Sequence, residues 1–463
     1  MPQPSIRKDN EFLRPLLRIA LPVAAAHIFT NAVGLADMFM VGALGDAAVA
    51  AVSAANRFLF IFELLEFGVV SGGTVLAAQY YGKRDLAAVS RIAAIVLRIT
   101  VTAGLAFGAA ALLIPQPILR IFSGDPEVIK IGVGYLRIVA VTYVTMGVSA
   151  AYANFLRAIE KTSLNLAVQV MAFFLNTTLN AVFIFGLFGA PRLGVNGAAL
   201  GTLLSRLAEL LVVLVYAVRF RHTLPIRPRD LFRLDRALLG DFLRHSGAVV
   251  LNEVLWGVGD SLHLAVLGHI STVALASASV ALSIQSVLNV GIIGLASASA
   301  VSVGQRIGRG EFAAAKRECK LYLIVAALVG FFCAGLQLSA RAFFVGAAVG
   351  WGIFRLTPAA VALTKQMMLL LGLLLPFNSL NCIIVVGVLR AGGDTKAAAF
   401  LDVGFMWLLS LPAGAIAAFA LGWPPMPVLF LLYVEEILKF SFSLARLCRW
   451  KWMKNLTRQS AKI

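Results

Sequence analysis

Charge is the scarcest commodity in this 463-residue chain. Only 13% of the residues are Asp, Glu, Lys or Arg, against about 25% in an ordinary soluble domain. Hydrophobic residues make up 60% and the mean hydropathy is +0.89. A surface kept in water cannot be built from that composition, which excludes a soluble enzyme, a secreted scaffold and a disordered chain. Cysteine is also sparse. Cys319, Cys333, Cys382 and Cys448 form no CxxC pair and no His-rich spacing, so they indicate neither a zinc site nor a disulfide framework. The chain has no Gly-x4-Gly-Lys-Ser/Thr loop, hence no ATPase of that type, and no TVGYG-like filter of a channel. Acids are the scarcer sign: 22 against 40 Lys and Arg, a net charge of +18. Such a balance in a soluble domain points to nucleic acid, but here too little polar surface exists to form a basic face.

Long apolar runs take the place of what is missing. A membrane span needs about 17–25 mainly apolar residues, and glycine, proline and charge clusters divide the chain into twelve of them. They fall over 15–41, 47–78, 92–117, 133–155, 164–188, 195–218, 244–268, 273–303, 320–342, 363–388, 397–421 and 427–447. The first, preceded by Arg7, Lys8, Arg14 and Arg18, runs past residue 40. That is longer than a signal-peptide core, so it reads as a retained span. Loops on one side (the N-terminus, 79–91, 157–163, 219–244, 305–320, 390–396 and 446–463) hold 29 Lys and Arg, and the opposite loops hold six. The positive-inside rule then places both termini and the 219–243 loop in the cytoplasm.

The two halves repeat. An offset of 226 residues aligns Gly42 with Gly268, Ser53 with Ser279, Gly68 with Gly294, Gln79-x2-Gly82 with Gln305-x2-Gly308 and Arg91 with Arg317. Later the offset becomes 233, where Leu156-Arg157-Ala158 meets Leu389-Arg390-Ala391. Six spans is an even number, so the halves share an orientation. The expectation is an all-α membrane protein of twelve transmembrane helices, in two pseudo-symmetric six-helix lobes around a central cavity. Residues 1–218 form the N-lobe, 219–243 a basic cytoplasmic interlobe loop, and 244–463 the C-lobe with its basic tail.

Asp37-x4-Gly42-x2-Gly45, followed by Gly72-x6-Gln79-x2-Gly82, resembles the N-lobe signature of the multidrug and toxic compound extrusion (MATE) family. Gly268-x9-Ala278 with Gln305-x2-Gly308 is its C-lobe counterpart, and Leu389-Arg390-Ala391-Gly392-Gly393-Asp394-Thr395 resembles the connection between that family's tenth and eleventh helices. The resemblance covers essentially the whole chain. It implies a secondary antiporter that exports amphipathic, often cationic, organic compounds.

Nine carboxylates fall inside the spans: Asp37, Glu63, Glu66, Glu209, Glu253, Asp260, Asp402, Glu435 and Glu436. Each costs about 2.5–3.5 kcal/mol at mid-depth if charged and unpaired, so each must be paired, protonated or in a wet cavity. Glu209 stands three residues after Arg206, and Lys439 follows Glu435 and Glu436 by four and three; both spacings allow intrahelical ion pairs. Glu63 and Glu66 share a helix face with no close base. Asp37 has no base within a turn, and Pro22 earlier in its span permits a kink. Asn176 and Asn180 lie four apart on one face, and Thr202 opens the sixth span. Amide and hydroxyl oxygens beside an aspartate suit a shuttled proton or a sodium ion, although the amides also suit plain interhelical hydrogen bonding. The resemblance implies that Asp37, Asn176, Asn180 and Thr202 form an N-lobe cation site. Family members often carry aspartate where this chain has Asn180, and the single remaining carboxylate tilts the expectation from Na+ at Asp37 towards H+.

Glu253, Trp256, Asp260 and His263 form a stripe along the seventh span, with the two acids ~10.5 Å apart along the axis. Glu253 matches a glutamate recurrent in the family's seventh helices, and Asp402 on the eleventh span is placed to face it. Where some members carry an acid, the tenth span has Asn378, Ser379 and Asn381. Function is therefore expected as H+- or Na+-coupled antiport by alternating access, in a bacterial inner membrane, by a monomer. No cofactor or nucleic acid is expected; the partners are small organic substrates and lipid. Export of one dedicated metabolite or a lipid-linked precursor is the alternative, and a polytopic membrane enzyme the remote one.

Overall fold

The computed structural model describes residues 16–219, 235–350 and 357–457, apart from the side chains of 46, 154 and 343–350. The chain's long apolar stretches become helices wherever a cap or a turn lets one begin and end. They are α1 (Leu16–Gly42), α2 (Asp46–Gly82), α3 (Leu86–Leu113), α4 (Pro126–Val139 and Thr142–Ala158), α5 (Ser163–Phe185), α6 (Val195–Arg219) and α7 (Arg236–Ile270). The rest are α8 (Thr272–Gly308), α9 (Phe312–Gly350), α10 (Pro358–Leu389), α11 (Thr395–Ala420) and α12 (Pro425–Tyr433 and Glu435–Cys448). Among the described residues there is no strand. Ten of these helices are long and apolar enough to cross a membrane. The halves of α4, bent by 48°, make an eleventh span when counted together. The span expected over 427–447 is the two shorter helices of α12, which meet at Val434.

Caps set the boundaries that apolarity leaves vague. Asp85 accepts from the Ala88 amide at 2.9 Å to start α3. Ser271 does the same for α8 at 3.0 Å, and Thr357 caps α10 with Pro358 in its first turn. Asp125 caps α4 at 2.8 Å, so the fourth span begins at Pro126 instead of 133. Asp235 caps α7 at 3.1 Å. That helix therefore begins inside the stretch read as an interlobe loop. The linker arginines Arg221, Arg227, Arg229 and Arg233, together with Arg7, Lys8 and Arg14, lie outside the described residues. In α1, Pro22 follows a wide five-residue turn, Leu16–Ala20, where looser backbone bonding tolerates its missing N–H.

The sequence repeat extends to individual backbone angles. Arg84 takes φ +64° where Gly310, 226 residues later, takes +79°. Glu160 takes +62° where Gly393, 233 residues later, takes +77°. A left-handed arginine and glutamate are unusual; the turn geometry is imposed by the repeated helix pair, and only the second copy has glycine to suit it.

The chain divides into two compact units, one of Ala25–Val250 and one of Leu251–Ile463 with Met1–Ala24. Both dividing points fall inside helices. Thus α1 begins in the second unit, where Ile19 and Val23 join the core of Val301, Ile307, Tyr322 and Val388. Correspondingly, α7 begins in the first unit. The contacts are equivalent in the two units: Gly68 lies against Val250 in one, and Gly294 against Ala20 and Ala24 in the other. Residues 24 and 250, like 68 and 294, are related by the 226-residue offset. The first unit is filled by Phe62, Leu119, Leu136, Tyr143 and Ile184, with Tyr143 edge-on to Phe62 at a centroid distance of 5.3 Å.

Candidate functional site

In the first unit, small residues on α6 determine how near α5 can come. Gly197 faces the Phe183 carbonyl and Gly201 faces the Asn180 amide group closely enough that neither position has room for a Cβ. This is the small-x3-small spacing by which membrane helices bring their backbones together. The close approach brings Asn176 and Asn180, both buried, onto α6. Asn176 Nδ2 reaches Thr202 Oγ1 at 3.3 Å and Ser205 Oγ at 3.4 Å. Asn180 Nδ2 donates to Asn176 Oδ1 at 3.2 Å and, across to α1, to Asp37 Oδ1 at 2.6 Å. The four residues singled out from the sequence are thus joined in one hydrogen-bonded chain. Asp37 has no ion pair among the described residues, and Asn180 Oδ1 is buried with no hydrogen-bond partner. Tyr135 on α4, buried in the core of this unit, lies beside Thr202 and Asp37. Sequence reading missed it, because an isolated tyrosine in an apolar run carries no signal. The Gly197-x3-Gly201 spacing, by contrast, was available.

Gly201→Ala should therefore act on Asp37 indirectly. The new methyl displaces the Asn180 amide, and transport should fall about tenfold at unchanged membrane expression. Gly240→Ala, a position with open space around it, should leave transport near wild type. Vesicle efflux assays on the two variants compare them directly.

Elsewhere in this unit Arg206 Nη1 holds Glu209 Oε2 at 2.8 Å, the intrahelical pair that the spacing allows. Glu66 is buried, Glu63 is exposed, and neither forms an ion pair among the described residues.

The second unit is built differently. Glu253 Oε1 meets Arg390 Nη1 at 2.7 Å, and Arg390 Nη2 lies 3.6 Å from Asp402 Oδ2. Asp402 Oδ1 is 3.2 Å from Lys439 Nζ, which is also 3.2 Å from Glu436 Oε1. Asn252 adds a 2.9 Å bond to Asp402, and Asn381 one of 2.7 Å to Glu436. Glu435 accepts from Ser410 at 2.8 Å. Two acids and one lysine on α12 are therefore shared out: Glu436 takes Lys439 and Glu435 takes a hydroxyl. Asp402 faces Glu253 as expected, with Arg390 between them.

Arg390 is the main correction. Counted from the sequence as a cytoplasmic loop charge, it is 1% exposed and spans two carboxylates. Wide-turn backbone over Ile383–Leu389 immediately precedes it, a local departure of the kind that re-aims side chains. Its repeat counterpart Arg157 is half-buried as well, so these two leave the basic tally of the topology; 27 of 29 remain. The α7 stripe is also divided. Trp256 is 38% exposed, whereas His263 is 1% exposed with both ring nitrogens lacking hydrogen bonds and its ring 5.2 Å from that of Tyr433. Asp260 is half-buried and makes no hydrogen bond or ion pair among the described residues. Neither joins the Glu253 network.

Long apolar helices in two repeated units, with amides and carboxylates buried at mid-helix, define a multi-pass membrane protein, and the comparisons that follow make it a transporter rather than an enzyme. The MatE family model matches residues 22–182 and 249–416, and the chain belongs to that family of efflux transporters. It is similar to the probable multidrug resistance protein NorM of Bradyrhizobium diazoefficiens, 29% identical over 422 residues that cover 89% of this chain and 88% of that one. It is also similar to the probable multidrug resistance protein YoeA of Bacillus subtilis, 26% identical over 320 residues covering 68% and 69%. Among solved structures, an outward-facing multidrug resistance MATE family transporter of the MOP superfamily aligns with a TM-score of 0.85 at 18% identity. That alignment covers 94% of this chain and 96% of the other; at such identity the likeness concerns the fold.

Proposed function

We propose that the chain exports amphipathic organic cations in exchange for protons taken up at Asp37, from a bacterial inner membrane with both termini in the cytoplasm. The names of NorM and YoeA support a drug-exporting role, and the one-sided distribution of basic residues supports the orientation. The observation that carries the site is a contrast between carboxylates. Glu253, Asp402 and Glu436 are each held by an internal arginine or lysine, whereas Asp37 has only an amide. Glu63, Glu66, Asp260 and Glu435 also have no ion pair among the described residues, but of these acids Asp37 is the one bonded into the buried chain of Asn180, Asn176 and Thr202. A carboxylate already neutralised by a fixed cation exchanges little with an incoming one; a carboxylate facing only an N–H is free to gain and lose a proton.

Asn180 supplies the means to sense that change. An ionised Asp37 only accepts hydrogen bonds, so the amide must present Nδ2. A protonated Asp37 offers an O–H, and the amide oxygen that now lacks a partner can accept it. Rotating the amide would also release Asn176 from its bond, carrying the protonation of α1 to α5 and α6. A proton biases the transporter only through its different affinity for the two access states, and this rearrangement is a local source of such a difference. An Nδ2 group aimed at Asp37 also stands where sodium would need an oxygen, which favours H+ as the coupling ion.

Uptake of a fluorescent organic cation into everted vesicles tests the reading, with ΔpH and a Na+ gradient imposed separately. Transport under ΔpH alone is expected. Transport under Na+ alone would replace the coupling ion, and transport under neither would overturn antiport.

A further inference from the structure

The short helix Pro115–Phe122, which joins α3 to α4, packs on the start of α4 and leaves a groove of about 620 Å3 between them. Gln116 and Arg120, four residues apart on one helix face, line one wall; Ile129, Lys130 and Val133 on α4 line the other. The walls are fixed from beneath. Leu119 is fully buried, and it fills the space that a Cβ at Gly132 of α4 would need. The groove thus carries one cation on each wall and no acid. Arg120 and Lys130 are both exposed and form no ion pair among the described residues. The acids next to them in the chain are placed otherwise: Asp125 accepts from the Glu127 amide at 2.8 Å as the cap of α4, and Glu127 is exposed and off the lining. The depth of the groove follows from α3, whose 28 residues rise about 42 Å. A hydrocarbon core is about 30 Å thick, and about 40–45 Å with its head groups, so the end of α3 at Leu113 reaches head-group level. Leu113, Ile114 and Ile121 are exposed there, an apolar rim that acyl chains would cover and water would not.

We propose that this groove holds the phosphate head group of an anionic phospholipid between Arg120 and Lys130, with its acyl chains against the rim of Leu113, Ile114 and Ile121. The planar guanidinium matches two phosphate oxygens at once, and the lysine adds a compact charge from the facing wall. A zwitterionic phospholipid carries a cation of its own into a groove that already has two, so the groove selects for net negative charge. A free phosphate ion answers the cations but leaves the apolar rim bare. The assignment does not depend on the antiport reading.

Photo-cross-linking of the full-length protein in phosphatidylcholine nanodiscs tests it, with a diazirine-bearing phosphatidylglycerol as the probe and the matching phosphatidylcholine as the control. Peptide mapping reads where the label lands, which separates this groove from the basic residues at the other side of the membrane. Label within residues 112–133 is expected from the phosphatidylglycerol probe, about tenfold or more above the control. The double variant Arg120→Gln with Lys130→Gln should lose that excess. Arg192→Gln, an exposed position between α5 and α6 on the same side of the membrane, should keep it. If the double variant does not fold, Lys130→Gln decides alone, because no ion pair depends on that exposed side chain, and it should lower the label severalfold. Equal labelling by the two probes, undiminished label in the foldable groove variants, or loss of label in Arg192→Gln each overturns the assignment. Displacement of the label by millimolar inorganic phosphate would assign the groove to a soluble anion and overturn the lipid as well.

Discussion

Asp37→Asn should bring ΔpH-driven accumulation of an organic cation in everted vesicles to about unity. Exchange of one proton for one monocation moves no net charge, so the membrane potential contributes nothing and the proton gradient is the whole driving force. One pH unit is worth about 1.4 kcal/mol per proton, equivalent to about a tenfold substrate gradient. An asparagine at position 37 can still bond Asn180, but it carries no titrating proton, and the tenfold ratio should be lost without loss of protein. The expected phenotype is therefore an uncoupled transporter: downhill movement of substrate persists and ΔpH no longer raises it. Vesicles measured with and without nigericin, which collapses ΔpH, distinguish this from an inactive variant. If Asp37→Asn keeps the full ΔpH-dependent accumulation, proton coupling is not at this carboxylate.

Arg390→Met should be the most destabilising substitution of a single buried charge in the second unit. It leaves Glu253 with no cationic partner and removes one of two from Asp402. Removing one partner of a buried ion pair typically costs about 3–5 kcal/mol, whereas replacing the pair by apolar groups is often neutral. The double variant Arg390→Met with Glu253→Gln should therefore recover most of the stability, since Asp402 keeps Lys439 at 3.2 Å. Fluorescence-detected size exclusion after heating would rank wild type, both single variants and the double. A double variant no more stable than Arg390→Met would mean that Arg390 acts by packing alone.

The two clusters differ in how much of them could be read from the sequence. Asp37, Asn176, Asn180 and Thr202 were brought together by the family resemblance; spacing alone said only that Asp37 has no base within a turn and that two amides four residues apart share a helix face. The partners across helices could not be read from either. Arg390 looks like a loop arginine because its neighbours Gly392, Gly393 and Asp394 read as a turn, and nothing local reports that the side chain points into the unit. Tyr135 belongs to the same class, a polar residue whose role depends on which helix lies opposite. The spans themselves were legible from apolarity. Their ends depended on single capping residues such as Asp125 and Asp235, so α4 and α7 both began earlier than hydropathy suggested. The 226-residue repeat was the most informative long-range signal, and the structure extends it to the paired left-handed turns at Arg84 and Gly310, which the sequence did not announce.

The exchange of helix beginnings has a consequence for biosynthesis. Ile19 and Val23 are synthesised well before their core neighbours Val301, Ile307 and Val388, which follow hundreds of residues later. Trp452, fully buried in that same core, is made 433 residues after Ile19. The opening turn of α1 must therefore wait in lipid until these later residues arrive. The core of the second unit joins stretches of the chain made at widely separated times.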